Sequence, residues 1–278
     1  MLEFCTLASG SRGNCALVSD GSTHLLLDAG ISARRICQSL KVLGLEPQAL
    51  SGVLITHGHT DHISGLATLI KQLRLPVYAS EEAGAELCAR TASVEAVLHP
   101  FRAGGSFSVG GLEVQSFPTP HDAAGSVGYA LTAGGCRMAL CTDLGHLTPE
   151  VLAGIAGTEL LIAESNHEEE WLWSGPYPYP LKRRILGKFG HLSNKLGAEL
   201  ACRAALEGAK GVILAHLSAE NNTPARAYEA AAAALERQGV IPGEDLALSV
   251  APRSDPGPLY RLERGKSLQK FPPKEAVS

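Results

Sequence analysis

Within six residues, His57-Gly58-His59-Thr60-Asp61-His62, the chain places three imidazoles and a carboxylate. In their deprotonated forms these groups are ligands for zinc, manganese or iron. An apolar run, Gly52–Thr56, precedes the loop, and Ile63, Leu66, Ile70 and Leu73 follow it on one helical face. In the extended part His57 and His59 alternate and can face one metal. Asp61 and His62 are adjacent at a helix start and turn toward a second. A lone His-x-His is often accidental, whereas four such groups between a buried strand and a helix make a far more specific signal.

Three further candidates share a position. His121 follows Leu112–Phe117, Asp143 follows Met-Ala-Leu-Cys-Thr, and His216 follows Gly-Val-Ile-Leu-Ala. Each lies just past an apolar strand, where α/β folds gather their sites on one rim. His121 or Asp143 taken singly reads equally as a loop residue or a cap, and Cys141 reads as a core thiol. Together, five histidines and two aspartates suffice for two divalent ions, Zn²⁺ or Mn²⁺, with open positions. Such a pair clamps an ester or phosphate and activates water, so the ligand set alone spells a dimetal hydrolase.

The positioning elements are readable. Strands are expected at Ala16–Ser19, His24–Asp28, Gly52–Thr56, Val77–Ala79, Leu112–Phe117, Val127–Thr132, Arg137–Thr142, Leu160–Glu164, Gly211–Ala215 and Ala247–Val250. Several are unbroken apolar stretches, as in sheets covered on both faces. Ser32 caps a helix to Leu43 and Ser193 one through Ala209, while Thr148-Pro149 and Thr223-Pro224 pair a cap with proline at the first helical position. This alternation predicts a layered α/β domain with helices outside the sheets. Residues 1–263 are expected to form one domain and 264–278 a loosely held tail.

With 278 residues, 45% of them hydrophobic, the chain has ample material for a core. Seven cysteines without a Cys-x-x-Cys exclude a disulfide framework and a zinc ribbon. The opening Met-Leu-Glu-Phe-Cys-Thr-Leu carries no basic and apolar leader pattern and no segment approaches membrane-span length, so a cytoplasmic protein without membrane contact is expected. At a formal net charge of −4, any polyanion must be attracted locally.

The His-x-His-x-Asp-His loop resembles the signature of the metallo-β-lactamase superfamily. That resemblance implies a four-layer αββα sandwich. It implies one metal held by His57, His59 and His121, a second by Asp61, His62 and His216, and Asp143 bridging them. Glyoxalase II-type thioesterases share the set, so other motifs must narrow the reaction. Gly190-His191-Leu192-Ser193-Asn194 resembles the Gly-His-Ser-Thr motif of ribonuclease Z, and Leu214–Asn222 resembles the last metal motif of the nuclease branch. Ala8–Asn14, Glu164-Ser165-Asn166-His167-Glu168 and Tyr177–Leu186 resemble the YycJ/WalJ family of bacterial exonucleases acting on DNA. The match runs in order from about Leu7 to Asn222. His146 stands where relatives are expected to carry tyrosine. Only twenty-one residues separate His121 from Asp143, too few for the transfer-RNA-holding arm of ribonuclease Z.

The resemblance implies a 5′→3′ exonuclease on DNA, and the aromatic and basic residues of Trp171–Phe189 suggest that single strands are preferred. Asp61 would orient the attacking water. His191 would serve as general acid to the leaving oxygen, although it reads also as a capping or surface histidine. Ser11, Asn14, His167, Arg183, Arg184 and Asn194 are the candidate substrate contacts. Trp171–Phe189 interleaves aromatics with Lys182, Arg183, Arg184 and Lys188; it suits a strand-stacking platform, and equally a loop pinned to the core. The competing functions are an RNA-processing nuclease, a thioesterase or lactonase on the same metals, and a non-catalytic regulator. The last would usually have lost ligands, and all seven stand here.

Overall fold

The apolar runs become strands because alternate side chains find a dry neighbour on each face. Leu25 and Leu27 point into a core between two sheets, whereas Leu26 points into a core under helices. A computed structural model describes residues 1–273.

The chain first builds β1 (Leu2–Ala8), β2 (Cys15–Ser19), β3 (His24–Leu27), β4 (Gly52–Leu54), β5 (Val77–Ser80) and β6 (Leu98–Phe101). It then builds a second sheet from β7 (Ser106–Val109), β8 (Leu112–Pro118), β9 (Val127–Ala133), β10 (Cys136–Cys141), β11 (Leu160–Glu164), β12 (Gly211–Ala215) and β13 (Ala247–Val250). Finally β14 (Leu259–Leu262) and β15 (Gln269–Phe271) return to the first. The orders are β15-β14-β1-β2-β3-β4-β5-β6 and β13-β12-β11-β10-β9-β8-β7. Strands β3 to β6 run parallel to one another, as do β10 to β13.

Helices α1 (Ala33–Val42), α2 (Thr60–Ile63), α3 (Leu66–Leu73) and α4 (Glu81–Arg90) follow strands of the first sheet. Helices α5 (Pro149–Ile155), α6 (Glu169–Ser174), α7 (Tyr179–Ile185), α8 (Asn194–Leu206) and α9 (Pro224–Arg237) belong to the second half. Ile36, Leu69 and Leu87 of α1, α3 and α4 pack on one sheet; Ile155, Leu200 and Leu235 of α5, α8 and α9 pack on the other. The result is the expected αββα sandwich, with Phe4, Leu54, Tyr129 and Ile162 among the residues between the sheets.

The structure departs from the sequence expectations in identifiable places. The helix read across Ile63–Leu73 divides at Gly65, whose N–H donates to the Ala29 carbonyl and where a side chain would collide with the Ile31 carbonyl. The strands β1 and β14 and the short, largely exposed edge strands β6 and β7 were not among those expected. The tail expected to be loose from residue 264 instead supplies β15, antiparallel to β14; residues 274–278 lie outside the described residues. No helix among the described residues is long and apolar enough to cross a membrane.

Two hydrogen bonds tie the sheets together directly behind the histidine loop. The buried Tyr129 hydroxyl donates to the Ile55 carbonyl at 2.6 Å, and Val127 N–H donates to the Thr56 carbonyl at 3.1 Å. Tyr129→Phe removes the first and should cost about 1–2 kcal/mol, read as a lower urea midpoint with an unchanged slope.

Candidate metal centre

Every candidate ligand emerges at the same rim because β4, β8, β10 and β12 all end there. The turns that follow are tight. Asp28, Asp143 and His216 adopt left-handed backbone, with φ of 60°, 60° and 57°, a conformation uncommon without glycine that here turns each chain sharply at its strand end.

The seven predicted ligands come together. His57, His59 and His121 place ligand atoms within 4.8 Å of one another, as do Asp61, His62 and His216, and as do His57, His62 and Asp143. Asp143 stands between the groups: its carboxylate lies 3.3 Å from His62 Nε2, 3.5 Å from His216 Nε2 and 3.8 Å from His121 Nε2. Asp61 Oδ2 lies 3.5 Å from both His62 Nε2 and His216 Nε2.

The imidazoles are held from behind. His62 Nδ1–H donates to Asp28 at 2.7 Å, His216 Nδ1–H to Glu164 at 2.8 Å and His121 Nδ1–H to the Gly190 carbonyl at 3.2 Å. Each bond selects the tautomer that leaves an Nε2 lone pair facing the centre, which is how carboxylates orient metal-binding histidines. Asp28 also accepts from Thr56 N–H and its hydroxyl. Glu164 accepts in addition from His191 Nδ1–H, Leu144 N–H and Leu192 N–H.

Two observations test whether this donor set fits divalent cations. His57 Nε2 and Asp143 Oδ2 are buried without a hydrogen-bond partner, a costly arrangement unless something else binds them. Moreover, Asp28, Asp143 and Glu164 are buried with Asp61 beside them, and no lysine or arginine pairs with these four among the described residues. Buried negative charge of this density calls for a cation. The residues fit divalent metals.

Protonation reports the same field. Burial opposes charge on His62, yet Asp143, Asp28 and Asp61 outweigh it and lift its pKa to about 9. Burial likewise opposes charge on His216, and Asp143, Asp61 and Glu164 raise it well above the usual range. Burial and the neighbouring imidazoles push His57 well below it.

The remaining predicted residues divide. His191 lines the cleft, a 370 Å³ opening it shares with His59, Asp61, Asp143, Tyr177 and Arg184. Ser11 also faces this cleft. Arg184 forms a two-pronged pair with Asp122, beside His59 and His121. Asn14 does not face the substrate side; its amide lies 3.1 Å from His62 Nε2 and 3.4 Å from Asp61 Oδ2, so it braces the ligands. His167, at 1% exposure, and Asn194, at 2%, are buried and cannot touch a substrate. Asn194 instead bonds Ser165, Glu168 and Asn222 at the start of α8, and burial lowers His167 to a pKa of about 4, keeping it neutral. Arg183 is exposed and lies outside the cleft lining. His146 Nδ1–H donates to the Lys188 carbonyl and so holds the loop after α7.

The Trp171–Phe189 stretch is pinned in part and leaves aromatic rings exposed. Arg226 stacks 4.0 Å from the Trp171 ring, and Lys182 Nζ donates to the Trp173 and Gly175 carbonyls, which pins the segment. Trp173, Tyr179 and Phe189 are left more than half exposed. Sequence reasoning assigned no role to Asp28 or Glu164. The available signal was position, since each closes an apolar strand as the ligands do.

A model of the beta-lactamase superfamily domain matches residues 23–217, and the chain belongs to that superfamily. Exodeoxyribonuclease YycJ of Bacillus anthracis is 37% identical over 87% of this chain and 92% of its own length. Exodeoxyribonuclease WalJ of Streptococcus pneumoniae is 33% identical over 79% and 83%. The chain is a member of this YycJ/WalJ family. Among solved structures, the metallo-beta-lactamase fold protein YhfI from Bacillus subtilis superimposes with a TM-score of 0.67 at 18% identity, covering 92% of this chain and 98% of that one.

Glu164→Gln keeps the size of the side chain but cannot accept from all four donors. It should weaken metal binding by about 10–100-fold, measured by competition with a chromogenic chelator, while far-UV circular dichroism stays native. A proton on His62 competes with a metal up to its raised pKa. His216, likewise raised, competes in the same way, so affinity for Zn²⁺ should climb as the pH rises from about 6 to about 9, as calorimetric titration would register.

Proposed function

We propose that this protein is a metal-dependent exodeoxyribonuclease that acts 5′→3′ and prefers single-stranded DNA. The observation that carries the reading is the cleft itself: a complete two-ion ligand set bordered by a carboxylate-backed histidine, in a chain whose relatives are named exodeoxyribonucleases. His57, His59 and His121 would hold one divalent ion, Asp61, His62 and His216 the other, with Asp143 shared. Zn²⁺ and Mn²⁺ both suit these donors. When bound, the pair supplies Lewis-acid polarisation of the phosphodiester and a water acidic enough to attack it.

The chain's own residues do the rest. With Nδ1–H committed to Glu164, His191 presents Nε2 to the cleft. The bond to Glu164 fixes the ring so that a proton carried on Nε2 would face the departing oxygen. Asp61, part-exposed at the cleft floor, accepts a hydrogen from the attacking water and fixes its direction. Arg184 offers positive charge to the strand's phosphates. The exposed rings of Trp173, Tyr179 and Phe189 give unstacked bases a surface, which favours a single strand over a duplex.

End-labelled single- and double-stranded DNA, RNA and an acyl thioester, each with Mn²⁺ or Zn²⁺, test the reading. We expect stepwise release of nucleotides from single-stranded DNA. Loss of all cleavage in Asp143→Ala is the control, and hydrolysis of the thioester without any nucleic-acid cleavage would sink the proposal. His191→Gln should retain both metals yet lose about 10²–10⁴-fold in kcat; near-native turnover would remove it from proton transfer.

A further inference from the structure

Beside the metal cleft lies a second pocket, of about 380 Å³, which the proposed chemistry does not use. Its walls are the Gly10–Gly13 turn, Arg35, Leu217, Glu220 and Arg253. Ser11 lines both the pocket and the metal cleft, so the two adjoin there. The joining loop is tied to the second metal group: Ser9 Oγ accepts from His216 N–H, and Asn14 N–H donates to the Asp61 carbonyl.

Arg12, Arg35 and Arg253, all exposed, line this pocket, and Glu220 is the one carboxylate in its lining. Arg35 is steadied by the Ser254 carbonyl and Arg253 by the Ser218 carbonyl, each at 2.6 Å. Neither bond neutralises charge. Among the described residues none of the three arginines forms a salt bridge, so their charge remains available to a ligand. Arginine forks held by neutral carbonyls keep their remaining N–H groups aimed outward, which suits the oxygens of a phosphate.

We infer that Arg12, Arg35 and Arg253 form a pocket for the terminal phosphate of the strand whose neighbouring linkage lies over the metal centre. This inference rests on the exonuclease reading and deepens it. A pocket that holds a terminal phosphate beside the metal cleft would account for attack at an end, because the linkage next to that phosphate is then brought toward the metals.

The test compares three oligonucleotides of one sequence, bearing a 5′-phosphate, a 3′-phosphate, or hydroxyls at both ends, with the metal-loaded full chain. One phosphorylated end should raise kcat/KM by about tenfold or more over the hydroxyl-ended strand, and which end does so fixes the polarity. The readout in variants is that ratio. Arg12→Ala and Arg35→Ala, each checked for a native melting temperature, should bring it near one and flatten the salt dependence by about 0.7 in log–log slope per arginine. A wild type indifferent to phosphate at either end overturns the inference, as does a ratio that survives both substitutions. Equal losses on all three strands also overturn it and assign the arginines to internal phosphates. Should no DNA be cut with any metal, the exonuclease reading fails by itself. Calorimetric titration with inorganic phosphate then decides the pocket: binding weakened by Arg12→Ala upholds it, and no binding rejects it.

Discussion

The carboxylate of Glu164 is the interaction on which the centre depends. Fully buried at the end of β11, it accepts from two imidazoles and two main-chain amides. Those four donors belong to three separate segments: the turn after β10, the loop before α8 and the end of β12. One side chain therefore fixes the separation of the strand ends, the tautomer of His216 and the orientation of His191. Asp28 does the same for the first sheet by holding His62 and Thr56. The two carboxylates stand on opposite sheets, so the site spans the sandwich and its geometry is only as rigid as the contact between the sheets. The Tyr129–Ile55 and Val127–Thr56 bonds close that contact immediately behind the ligands.

This arrangement stores unfavourable energy locally. Left-handed backbone at three non-glycine residues, a buried imidazole nitrogen and a buried carboxylate oxygen without partners would each destabilise an ordinary core by about 1–3 kcal/mol. The four-layer core of β-branched and leucine side chains tolerates that cost, and cation binding recovers it. The strain and the orphan atoms are thus the same observation as the metal site, seen from the side of stability.

The ligands were legible in the sequence because ligation imposes spacing: His57, His59, Asp61 and His62 occupy one loop, and His121, Asp143 and His216 each close an apolar run. The strands Leu160–Glu164 and Gly211–Ala215 were legible to the residue because each is an apolar stretch ended by a polar group. Supporting residues obey no such spacing. Glu164 and Asp28 never face the cleft, so nothing in the motif demands them at a given distance. His167 and Asn194 looked like substrate contacts by proximity in the chain, but burial is decided by tertiary packing: the turn after β11 and the first turn of α8 enclose both side chains. Gly65, too, looked compatible with one long helix; only the approach of the Ala29–Ile31 backbone forces the break. The arginine pocket was out of reach for a similar reason, since its three guanidiniums come from the first turn, from α1 and from a loop after β13.

Net charge has to be read locally. A formal charge of −4 argues against a polyanion partner only if charge is spread evenly. Here it is sorted. Asp28, Asp61, Asp143 and Glu164 are drawn into a centre whose donor set fits cations, and once two divalent ions are held there that patch no longer repels a phosphate. Outside it, the cleft and the adjoining pocket carry Arg184, Arg12, Arg35 and Arg253. Of these, Arg184 is partly spent on Asp122, which leaves the pocket as the more strongly positive end. A strand entering such a field is pulled toward the arginines first and meets the metals next to its end. Attraction that is concentrated at one terminus, and not spread along a groove, is what distinguishes a surface built to consume strands from their ends from one built to bind them along their length.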